Sequence, residues 1–116
     1  NLFLIDKDTM LLENLVALQL FRKYGHDAEN ERVFFYNEKY EVDFYVPEDE
    51  VAIQVCYSLR DEETLDREKD ALSKLPKRLA CRRRLILTFD DETSYTDQYG
   101  TIEVLPCWKW LLNPEM

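Results

Sequence analysis

Residues 32–59 read RVFFYNEKYEVDFYVPEDEVAIQVCYSL. Residues 32–37 and 40–47 are dense in aromatic and β-branched side chains, which suit a pleated, half-covered surface, and a short polar turn separates them. They predict an antiparallel hairpin that closes at Pro47, because proline has no N–H to give to a ladder. After the acidic turn Glu48-Asp49-Glu50, residues 51–59 carry apolar side chains at both parities, so this third strand is expected to lie centrally with both faces covered.

Upstream of this meander, Asp8 or Thr9 is placed to cap a helix that runs to about Tyr24, with Gly25 supplying a left-handed stop. Leu11, Leu15, Leu18 and Arg22 follow one helical stripe, and Met10, Ala17, Leu20, Phe21 and Tyr24 follow another. A helix apolar over so much of its circumference is expected to be largely buried. Downstream, Asp61 or a neighbour caps a second helix through about Leu75, and Leu65, Leu72, Leu75 and Leu79 form its sheet-facing stripe until Pro76 ends the regular part. Residues 84–89 (RLILTF) predict a fourth strand, and the helical crossover before it favours parallel pairing with the third. Residues 101–105 suggest a fifth, edge strand and residues 106–112 a short terminal helix. The expected fold class is α/β: one domain over residues 1–116 with the order helix, three-strand meander, helix, strand, plus an added edge strand and a short C-terminal helix.

Composition narrows the classes. Hydrophobic residues make up 46% of the chain, with two glycines and four prolines, which fits a folded domain and excludes a disordered linker. No segment approaches the roughly 18 apolar residues of a membrane helix. The opening Asn1-Leu2-Phe3-Leu4-Ile5-Asp6 lacks a basic region and a long apolar stretch, so no signal peptide is expected, and without an initial Met the chain reads as a piece of something longer. Cys56, Cys81 and Cys107 are odd in number with no C-x-x-C spacing, which points to reduced thiols and a cytoplasmic protein. His26 follows Gly25 at the expected helix end, where a polar or cationic residue is ordinary. A net charge of −9 opposes autonomous high-affinity binding to nucleic acid. Lys77, Arg78, Arg82, Arg83 and Arg84 nevertheless crowd five cations into residues 77–84. That run suits contact with phosphates or an acidic partner, or else the solvated end of an element.

The candidate chemistry lies in buried-looking acids. Glu13 shares helical spacing with Ala17, Leu20 and Tyr24, so its carboxylate lies along an apolar stripe and needs a partner. Asp43 stands mid-strand in Glu41-Val42-Asp43-Phe44, where acids are depleted. Gln54 and Cys56 share one face of the third strand. Metal-dependent phosphodiester hydrolysis needs two or three carboxylates on a divalent cation and a group that orients water.

A helix Glu, a strand Asp, then a strand pair of the form (E/Q)-x-K resembles the PD-(D/E)xK nuclease superfamily and its restriction-endonuclease-like core. The blocks Leu12-Glu13-Asn14-Leu15-Val16-Ala17, Glu41-Val42-Asp43-Phe44, Ile53-Gln54-Val55-Cys56-Tyr57-Ser58-Leu59, Glu63-Thr64-Leu65-Asp66-Arg67-Glu68 and Trp108-Lys109-Trp110-Leu111-Leu112 together resemble the C-terminal domain of unknown function that follows the ATPase module in many predicted bacterial and archaeal AAA+ ATPases. The resemblance implies Glu13 and Asp43 as metal ligands, Gln54 at the second acidic position, and a lysine where Cys56 stands. A neutral thiol cannot supply the positive charge that orients a nucleophile and steadies the transition state. Lys69, between Leu65 and Leu72, is the candidate replacement. The expectation is an accessory domain that has lost the nuclease chemistry, needs no cofactor, and joins an N-terminal ATPase module of the same chain to a protein partner or another subunit, with duplex DNA bound weakly at most. The alternatives are a Mg²⁺- or Mn²⁺-dependent nuclease using Glu13, Asp43, Gln54 and Lys69, and an oligomerisation module. The chain has no Gly-rich phosphate loop of its own.

Overall fold

The computed structural model describes residues 6–25 and 31–113. Helix α1 (Lys7–Tyr24) leads into strands β1 (Phe34–Asn37), β2 (Glu41–Val46) and β3 (Val51–Val55). Helix α2 (Glu62–Lys74) and a 3-10 turn (Leu75–Lys77) follow, then β4 (Arg83–Thr88), β5 (Thr93–Asp97), β6 (Gly100–Pro106) and α3 (Cys107–Leu112). The six strands form one sheet in the order β1-β2-β3-β4-β6-β5. β1, β2 and β3 pair antiparallel as a meander, and β3, β4 and β6 are parallel. The expected α/β order of helix, meander, helix and strand is present. No helix among the described residues is long and apolar enough to cross a membrane. His26 lies outside the described residues.

Four details differ from the sequence expectation. Asp6 rather than Asp8 or Thr9 caps α1, accepting from the Asp8 N–H at 3.2 Å. Thr9 is thereby freed to accept from the Tyr57 N–H (3.0 Å), which ties the start of α1 to the chain just beyond β3. Gly25 does take a positive φ of 91°, but with ψ 158° it leaves the helix extended rather than left-handed helical. The strand expected at the edge, β6, is interior: the polar segment Thr93–Asp97 adds an antiparallel edge strand outside it, and its one large apolar side chain, Tyr95, gave no alternating pattern to read.

The fourth difference concerns α1. Leu12, Val16 and Leu20 are buried against the sheet, whereas Leu11, Leu15 and Leu18 are 62%, 45% and 60% exposed. A flat sheet covers an arc of a helix rather than its whole circumference, and α3 is too short to cover the rest. Two cores result, one on each sheet face. Leu12, Val16 and Leu20 of α1 pack with Ile53, Leu85, Leu87 and Trp110; Ala71, Leu72 and Leu75 pack on the other side with Val42, Tyr45, Ile86 and Val104.

The basic run is divided by the alternation of β4. Arg84 was expected among surface cations, yet it is 2% exposed. Its guanidinium donates to both carboxylate oxygens of Asp97 at 2.7 Å and to the Leu72 carbonyl at 2.9 Å, joining β4, edge strand β5 and the end of α2. Ser73 Oγ also donates to Asp97 (2.8 Å). This hydrogen-bonded fork holds the Asp97 carboxyl well below the usual carboxylate range, outweighing partial burial. Arg84→Ala removes one partner of a buried pair and is expected to cost about 3–5 kcal/mol in urea unfolding. Because the Asp97 pKa is depressed in the folded state, its contribution is present above about pH 4 and is lost as the pH falls further. An Arg84→Ala protein as stable as the parent would rule this clamp out.

Candidate functional site

The site forms where β2 leaves β3. Their ladder runs Val46↔Val51, Tyr45↔Ala52, Phe44↔Ile53. Continued by one step it would pair Asp43 with Gln54, but β3 stays with β4, where Val55 faces Leu87 and the Cys56 N–H reaches the Leu87 carbonyl (3.0 Å). β2 instead follows β1 and carries a bulge there, since Phe34 faces Tyr45 but Tyr36 faces Val42. The extra residue brings Val42 and Tyr45, three apart, into the same core.

Backbone groups exposed by this fork are satisfied by side chains. Gln54 Oε1 accepts from the Asp43 N–H and Gln54 Nε2 donates to the Glu41 carbonyl, each at 2.9 Å. Asp43 Oδ2 accepts from the Val55 N–H at 2.8 Å. Gln54, 2% exposed, is therefore a wedge that replaces two missing ladder bonds. Each end of its amide holds a backbone partner, so its one oxygen is already engaged as an acceptor.

Around the wedge the charges are predominantly acidic. Burial raises the Asp43 carboxyl to about 7; the Val55 N–H opposes the rise, while Glu13 and Glu41 add to it. Burial raises Glu68 of α2 to about 7 as well, with Asp43 adding and Arg67 opposing. Glu13 is raised by burial and then by Glu41. Burial, Glu68 and Asp43 push the Cys56 thiol up to about 12, so it is protonated at neutral pH and cannot stand in for an ammonium. Glu68 is 9% exposed; one oxygen lies 3.5 Å from Arg67, and the other has no hydrogen-bond partner among the described residues. A cavity of about 320 Å³ between β2 and α2 is lined by Tyr40, Glu41, Asp43, Gln54, Arg67 and Glu68, among others.

The sequence candidates thus meet in part. Glu13, Asp43, Gln54 and Cys56 do converge on the fork, but no trio of His, Cys, Asp or Glu among the described residues is arranged to hold a metal ion. Lys69 stands over the Tyr95 ring, 4.1 Å from its centroid, on the opposite edge of the sheet from β2. Glu68 is the residue that sequence reasoning missed. It falls at the 3–4 spacing of Leu65, Leu72 and Leu75, so the stripe that predicted the helix also contained an acid aimed at the sheet.

The remaining cations form no single patch. Lys77 ends the 3-10 turn, and Arg78 lies 4.0 Å from Glu38. Arg83 bonds Glu103 through two nitrogens (3.0 and 3.4 Å). Arg82 and Arg83 line a second cavity, of about 220 Å³, with Lys23, Asp49 and Trp110 on the α1 side. Trp110 is buried and Trp108 exposed, as their i, i+2 spacing requires.

No known family model matches this chain, and no solved structure matches it. It is similar to "Uncharacterized protein MJ1544" of Methanocaldococcus jannaschii, 41% identical over an alignment of 111 positions that covers 89% of this chain and 24% of that protein. The chain spans about a quarter of the length of the curated relative it matches.

Removing the wedge tests its structural role. Gln54→Ala leaves the Asp43 N–H and the Glu41 carbonyl unpaired and is expected to cost about 1–3 kcal/mol by denaturant unfolding. A loss within error would mean the fork does not need the amide.

The acids set a second expectation. Asp43 and Glu68 titrate near 7 when folded and near 4 when unfolded, so across that window the native state holds protons that the unfolded chain has released. Stability should therefore fall as the pH rises from about 4 to about 7 and level off above. Glu68→Gln is expected to flatten that slope in melting temperatures measured against pH; an unchanged slope would place the proton uptake elsewhere.

Proposed function

We propose that this chain is an accessory domain built on a restriction-endonuclease-like core without the nuclease chemistry, belonging to a longer cytoplasmic AAA+ ATPase-type protein and serving contact with a partner or subunit. The observation that carries the reading is the wedge. Where the resemblance calls for a metal-binding acid, Gln54 offers a neutral amide bonded at both ends to the β2 backbone. Where it calls for a lysine, a protonated and buried Cys56 stands. Lys69, the candidate substitute, is engaged with Tyr95. The three cysteines are free thiols, in keeping with a reducing compartment. The matched relative, about four times the aligned length, is in keeping with a domain that occurs within longer proteins.

A second reading, a nuclease dependent on Mg²⁺ or Mn²⁺, draws support from the raised pair Asp43 and Glu68, since a cation between two destabilised carboxylates would relieve both. A single assay separates the two. With either cation present, the chain is expected to leave supercoiled and linear DNA intact over hours, and Asp43→Ala to lower the melting temperature. Metal-dependent cleavage that Asp43→Ala abolishes at unchanged melting temperature would overturn the accessory reading.

A further inference from the structure

The unmet apolar surface of this protein is concentrated on α1. Leu11, Leu15 and Leu18 recur at spacings of four and three, the seam of a helix pair, and all three are exposed although the opposite side of the helix is fully packed. The same line continues to Asp8 before the leucines and to Arg22 after them. Both are exposed, and neither Asp8 nor Arg22 makes an ion pair among the described residues. A contiguous exposed apolar patch of this kind marks an interaction surface.

The end charges select the occupant. Asp8 and Arg22 lie seven positions before and after Leu15, so a line drawn through Leu15 perpendicular to the helix exchanges them. Laid antiparallel on a copy of itself, the face brings Asp8 of each helix to Arg22 of the other and stacks the leucines between them. A parallel pair would instead set Asp8 on Asp8 and Arg22 on Arg22. Self-complementarity under a two-fold axis is what an isologous dimer requires. We propose that the Leu11-Leu15-Leu18 face of α1 is the interface of a two-fold dimer with the helices antiparallel. It gives the subunit contact of the proposed function a surface, and its test reads association whatever the cleavage assay returns.

The seam is short and the chain carries a net charge of −9, so the dimer is weak and forms best at physiological salt, where repulsion between exposed charges is screened beyond about 8 Å. Sedimentation equilibrium of the chain over a wide concentration range should show a monomer–dimer equilibrium. Leu15→Glu, at an exposed position, should leave the melting temperature near the parent value and raise the dissociation constant by more than about a hundredfold. Asp8→Arg or Arg22→Asp alone brings like charges together and should weaken the dimer by about tenfold, and the double reversal should restore it. A chain monomeric at every concentration, a dimer indifferent to Leu15→Glu, or a double reversal no tighter than the single ones would each overturn the proposal.

Discussion

β3 cannot pair fully with both of its neighbours, and the site follows from that constraint. It keeps β4 to its end and lets β2 go, which strands polar backbone groups inside the protein. An unpaired buried N–H or carbonyl costs as much as a lost hydrogen bond. Asp43 and Gln54 meet that cost with three side-chain-to-backbone bonds. A carboxylate buried in such a fork is costly to ionise, and Glu13 and Glu41 around it raise the cost further.

This architecture gives the same residues two different meanings. In a fork of strands with free carboxylates, Asp43 would face a cation; with Gln54 turned inward as a wedge, it supports the backbone. The amide can do so because it offers a donor to the Glu41 carbonyl and an acceptor to the Asp43 N–H at once. Cys56 completes it by filling the α2-side core as a small apolar group.

At the other side of the sheet, Arg84 and Asp97 do for β5 what Gln54 does for β2. A polar edge strand with little apolar surface is held by a buried ionic fork that also caps the Leu72 carbonyl. The cost of burying the arginine is offset by three charge-assisted bonds. Both devices join elements that hydrophobic packing alone would hold loosely.

The meander, the crossover helix and the central strand were legible in residues 32–89, because aromatic and β-branched runs, turn residues and helical stripes are local signals. Glu13, Asp43, Gln54 and Cys56 were legible as a group for the same reason: a polar residue in an apolar pattern marks itself. Glu68 carried that mark too, at the spacing of Leu65 and Leu72. The direction each side chain takes was not legible. Arg83 and Arg84 look alike in a basic run, and only the parity of β4 against α2 buries one fully and leaves the other partly exposed. Leu11 and Leu12 look alike in an apolar helix, and only the angle at which α1 meets the sheet decides which one water still touches. Local sequence sets what a segment can become, whereas which face is covered depends on partners distant in the chain, and those exist only once the sheet has formed.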